Sequence, residues 1–137
     1  MNTVLTDHST TDLGIIQIAP EVLEIIAGIA AIDIDGVADM SGGIVGGISE
    51  MLGLKSLKRG VKVQIGAEET IIDVSIVIEY GFRIPDVSRQ IQQSVQQAIY
   101  SMTGIQVSAV HIHIESVHFN ELENSSEHEF IQPIRQR

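Results

Sequence analysis

His111, His113 and Glu115 are the residues of this chain best placed to do chemistry. They alternate, so a strand puts two imidazoles and a carboxylate on one face. Such a group can begin a zinc site, but a closed site takes four ligands and a catalytic one takes three and a water. No fourth ligand is identifiable. The plainer reading is a solvent-facing strip, backed by Val110, Ile112 and Ile114 on the buried side. His118 falls on the opposite face of a regular strand, and His8 and His128 lie in the terminal segments. A metal-dependent enzyme is therefore the reading with least support.

Other reactive patterns fail on their own residues. Lys55-Ser56 follows Leu54, where a phosphate-binding Walker loop needs Gly. Ser49 lacks the flanking glycines of a G-x-S-x-G nucleophile turn. Gly43-Ile44-Val45-Gly46 has the G-x-x-G spacing that clamps a nucleic-acid backbone, but its middle pair is apolar. The chain's net charge of −10 repels phosphates and disfavours nucleic acid as a partner. The Gly42 to Gly47 loop reads instead as an adaptable or apolar lip. With no cysteine, thiol catalysis, disulfides and cysteine metal sites are all excluded. No cofactor is expected.

Two surface groups suggest contacts. Half of the eight basic residues cluster at Lys55, Lys58, Arg59 and Lys62. This patch could meet an acidic partner or anionic headgroups; a solvated turn before a strand is the simpler account. Gln92, Gln93 and Gln96, with Gln90 and Gln97, give one helix face hydrogen-bonding capacity without charge. Less charge to desolvate suits lateral packing between copies.

These residues must be positioned by a small fold. At 137 residues, 44% hydrophobic, with three Phe, two Tyr and no Trp, the chain buries a core of Ile, Val, Leu and Ala. Residues 1–13 read as a disordered tail without a secretory signal. Gly14 to Ile18 reads as a strand. Pro20 opens a mostly buried helix over 20–31, with Val22, Leu23, Ile25, Ile26 and Ile29 in its apolar stripe. Its apolar run, Ile25 to Ile32, is too short to span a membrane. Gly36 to Met40 is a short strand, and 41–54 a Gly-rich loop running into a helical turn.

Val61, Val63 and Ile65, then Ile72, Val74, Ile76, Ile78 and Tyr80, alternate with polar residues. They predict a hairpin with one buried face. Pro85 and Asp86 open a second helix, with Val87, Ile91, Val95, Ile99 and Met102 as its stripe and Gly104 as its C-cap. Val110 to Phe119 is the last strand. Residues 120–137 form an acidic, mobile tail. The sum is an α+β, two-layer sandwich: a mixed, mostly antiparallel sheet with two helices on one face, spanning 14–119.

Several blocks, taken in order, carry a family resemblance. They are Gly14-Ile-Ile-Gln-Ile-Ala-Pro-Glu-Val-Leu, Gly36-Val-Ala-Asp-Met-Ser-Gly-Gly, Gly60-Val-Lys-Val, Ile78-Glu-Tyr-Gly with Ile84-Pro, and Met102-Thr-Gly before Val110-His-Ile-His-Ile. Across 14–119 the chain resembles the alkaline-shock, or envelope stress response, proteins of Gram-positive bacteria. His111 departs from the Asn more usual there. The resemblance implies a cytoplasmic protein with no established enzyme activity and no catalytic residues to carry over. It also implies a place beneath the membrane through a small membrane-anchor protein.

The expected function is a non-enzymatic scaffold or adaptor in envelope homeostasis that self-associates and touches the membrane only indirectly. The alternative, implied by the resemblance through another branch of that family, is regulation of fatty-acid synthesis through an acetyl-CoA carboxylase subunit.

Overall fold

The structure, a computed structural model, describes residues 7–41 and 58–119. The Gly42 to Gly47 loop, the helical turn expected before Leu54, Lys55 and the 120–137 tail lie outside the described residues. β1 (Asp7–Thr11) and β2 (Gly14–Ile18) come first, followed by α1 (Pro20–Ile32) and β3 (Val37–Met40). Then come β4 (Val61–Ile65), β5 (Thr70–Glu79), α2 (Ile84–Thr103) and β6 (Ala109–His118).

Strict alternation makes β5 the centre of the main sheet. Ile72, Val74, Ile76 and Ile78 are buried on one face, with Ile71, Asp73, Ser75, Val77 and Glu79 on the other. β4 pairs antiparallel with its first half, from Val61↔Val74 to Ile65↔Thr70. β3 pairs antiparallel with its second half, from Val37↔Ile78 to Met40↔Ile76. β6 runs parallel along its whole length, from Ile71↔Ala109 to Glu79↔His118. β3 and β4 therefore lie end to end on one edge of β5, and β6 takes the other. A parallel neighbour needs a long crossover, and α2 supplies it.

Both helices cover the same face. α2 contributes Val87, Ile91, Val95 and Ile99, and α1 contributes Leu23, Ile26, Ala27 and Ala31. Each fully buried aliphatic side chain contributes roughly 1.5–3 kcal/mol by leaving water. The expected two-layer α+β arrangement is what the chain adopts.

The helix ends follow their sequence signals. Pro20 and Pro85 stand in the first turns, where the missing N–H costs nothing. Gly104 caps α2 at φ 80°, and its N–H donates to the Tyr100 carbonyl at 2.8 Å. Thr103 tightens this end: its hydroxyl donates to the Ile99 carbonyl at 2.7 Å and accepts from the Ile105 N–H at 3.0 Å.

Three expectations are corrected. Residues 7–11, placed in a disordered tail, form β1. A tight turn closes it onto β2, with the Thr11 hydroxyl accepting from the Leu13 N–H at 3.0 Å and donating to the Gly14 carbonyl at 3.2 Å. Met102, assigned to the buried stripe, is 72% exposed because the four-residue step from Ile99 falls on the half-buried Thr103, which leaves Met102 on the solvent side. Val22 and Ile29, counted in the apolar stripe of α1, are exposed as well, since that stripe is wider than the surface it packs on.

Candidate functional site

The sheet face away from the helices carries the polar residues. On it lies an open depression of about 550 Å³ whose lining includes Ser41, Arg59, Lys62, Asp73, His113 and Glu115. The pleat places them: Lys62 and Gln64 point outward from β4, Asp73 and Ser75 from β5, and His113 from β6.

Asp73 is the hub. Gln64 Nε2 donates to its Oδ2 at 2.6 Å, and His113 Nε2 lies 3.1 Å from its Oδ1. The hydrogen bond to His113 holds the Asp73 carboxyl below its ordinary value of 3.8, helped by Gln64 and by the charge of His111, against a smaller opposing effect of burial. A depressed carboxylate stabilises the fold above its unfolded pKa, and that contribution disappears as pH falls through the folded value. Asp73→Asn is therefore expected to be less stable than the wild type at neutral pH. The gap should close in acid, below about the unperturbed carboxylate value. Urea unfolding of both proteins at neutral and acid pH measures this; a gap that does not change with pH would contradict it.

A second pair joins the same strands. His118 Nδ1 lies 3.0 Å from Glu79 Oε2. A regular strand would have put His118 on the helix side. The register shifts instead: Ile76 pairs with Ile114, but Val77 pairs with Ser116, so Glu115 is an extra residue. This bulge returns His118 to the open face beside Glu79. No sequence signal marks it, because Glu115 fits a regular strand equally well.

The other candidate residues are dispersed. His111 and His113 share the open face, but among the described residues no three His, Asp or Glu side chains gather closely enough to hold a metal ion. Lys58 pairs with Glu21 of α1 at 3.2 Å. Arg59 donates through Nη2 to the Met40 carbonyl at 3.3 Å and lies 3.6 Å from Asp39 Oδ1. Its Nε is buried without a partner. Lys62 makes no ion pair among the described residues. Two of the four clustered cations are thus engaged within the fold.

The Gln residues divide in the same way. Gln92 and Gln96 donate to the Val110 and Val107 carbonyls at 3.0 and 3.3 Å, tying α2 to the β6 side of the sheet. Gln93 and Gln97 face solvent.

Sequence reasoning missed the exposed apolar groups. Tyr80, assigned to the buried side of β5, is 68% exposed, because the strand ends at Glu79. Its ring meets Phe119 edge-on at 4.9 Å. Phe82, Ile84 and Val117, from neighbouring positions, are also exposed. At the tip of the first hairpin, Leu13 is 97% exposed, and Ile15 and Ile16 follow it. Among the described residues no helix is long and apolar enough to cross a membrane.

Known proteins align with this chain over nearly all of the described fold. It is 40% identical over 114 residues to YqhY of Bacillus subtilis, covering 83% of this chain and 84% of that protein. It is 33% identical over 109 residues to YloU of the same organism, covering 78% and 91%. A stress response regulator gls24 homolog of Streptococcus pyogenes is 28% identical over 98 residues, covering 71% of this chain and 55% of that longer protein. No solved structure matches. The profile of the alkaline shock protein 23 family, described by a cell envelope-related function, matches residues 8–119. On that match and the 40% identity to YqhY, the chain belongs to this family.

Proposed function

We propose that this protein is a non-enzymatic adaptor in cell-envelope homeostasis, acting through protein contacts and self-association. The observation that carries this reading is the apolar surface left uncovered around a well-buried core. Tyr80, Phe82, Ile84, Val117 and Phe119 are all exposed near one end of β5 and β6. Small soluble domains seldom leave large apolar groups together in water unless something docks there. The family's envelope-related function and the stress-regulator name of one relative support the same direction. The partner in this reading is a small membrane-anchored protein, which would hold the domain at the inner face of the membrane.

Sedimentation of the purified protein over a range of concentrations tests the association. Oligomers that grow with concentration are expected, and a strict monomer at the highest concentration counts against it. Affinity capture from a Gram-positive lysate tests the partner. A small membrane protein is expected; acetyl-CoA carboxylase subunits would move the reading to control of fatty-acid synthesis.

A further inference from the structure

Of the main sheet's two outer edges, β6 has the longer uninterrupted one. β5 occupies one side of β6 from Ala109 to His118, and among the described residues no strand occupies the other. The ladder starts with the Ser108 N–H donating to the Thr70 carbonyl at 2.8 Å. The Tyr80 N–H donates to the His118 carbonyl while Ser75 and Glu79 bond to the opposite edge, so the even positions of β5 face β6. By register the His111 and His113 backbone groups then bond to β5, and those of Val110, Ile112 and Ile114 point to the open edge, where Gln92 already donates to the Val110 carbonyl. An open edge pairs readily with another strand unless it is blunted. Here the bulge at Glu115 disturbs only the second half, and residues 109–114 run in regular register.

Charge and shape identify the occupant. In a chain of net charge −10, β6 holds a single acid, Glu115, and α2 beside it holds only Asp86 and Arg89 as charges. A second copy approaching this side meets little of the repulsion that other sides present. Antiparallel pairing of two β6 strands about a twofold axis near residue 113 or 114 sets His111 or His113 of one copy against Glu115 of the other. Opposite charges facing across strands stabilise the pair, and the twofold makes each contact twice. Beside the N-terminal end of β6, Gln96, Gln97, Tyr100 and Gln106 line a concavity of about 220 Å³ with no charged wall. An isologous interface brings two such uncharged flanks together with little desolvation cost.

We propose that this edge is the self-association surface: β6 pairs with β6 of a second copy, antiparallel, joining two sheets into one. This rests on the self-association reading above and names its surface.

Ile112→Pro tests it. Proline removes an N–H directed to the open edge and places a ring where the second strand would lie, while the bonds to β5 remain. The expected result is a wild-type dimer and a folded variant that has lost the dimer in sedimentation. A folded variant that dimerises like the wild type overturns the proposed edge and leaves self-association standing. A wild type that stays monomeric removes both.

If Ile112→Pro loses its circular dichroism, cysteines decide. The chain has none, so His111→Cys, His113→Cys or Glu115→Cys can cross-link only between copies. Oxidised dimers well above those of a Glu68→Cys control support the edge, and yields equal to the control overturn it.

Discussion

Ile76→Ala is expected to lower the unfolding free energy by about 3–5 kcal/mol, the largest effect of any single truncation considered for this chain. Ile76 is fully buried in the middle of β5. It is paired with Met40 of β3 on one side and Ile114 of β6 on the other, under the helical layer. Truncation removes the transfer term and leaves a cavity that three strands must collapse to fill. Strands locked in a ladder relax poorly, so the cost should fall in the upper part of the Ile→Ala range. Urea unfolding measures it; a loss below about 1 kcal/mol would mean that the sheet centre repacks freely.

Gly60→Ala is expected to cost about 2–3 kcal/mol through overpacking. A methyl group at this position would sit 2.5 Å from the Ser75 carbonyl oxygen and 3.1 Å from that of Ser41. The neighbours are backbone, so no side chain can rotate away. Ser75 is the seam where β3 and β4 meet on β5: its N–H donates to the Gly60 carbonyl at 2.8 Å, and its carbonyl accepts from the Ser41 N–H at 2.9 Å. The added methyl must push these strands apart at the rim of the open-face depression. Reduced stability together with faster exchange of the Ser41 and Ser75 amides is the expected signature. A variant as stable as the wild type would show that the seam is not rigid.

Much of the fold was legible because its signals are local. The alternation of Ile72, Val74, Ile76 and Ile78 against Asp73, Ser75 and Glu79 marks a strand with one buried face, and the structure has that strand. The four-residue steps from Val87 to Ile99 mark α2, and Pro85 and Gly104 mark its ends. The open-face cluster was only half legible. His111, His113 and Glu115 stood out by spacing, but their neighbours come from β4 and β5, at positions 64 and 73. No pattern within one strand announces that Gln64 and His113 will meet on Asp73.

The exposed aromatics were illegible for a related reason. Tyr80 continues the period of β5, and its N–H still donates to the His118 carbonyl, but the strand ends at Glu79 and the ring stands exposed against Phe119.

Periodicity and breakers, read along the chain, determined which residues form strands and helices and which face of each is apolar. They did so because burying an alternating or four-step stripe is the dominant favourable term for any chain of this composition. Tertiary structure alone decided what meets across strands. It put β3 and β4 on one edge of β5, inserted Glu115 as a bulge and so turned His118 toward Glu79, and left one side of β6 open. Those outcomes depend on register and chain crossing, set by the packing of residues far apart in sequence, and no local window of residues contains that information.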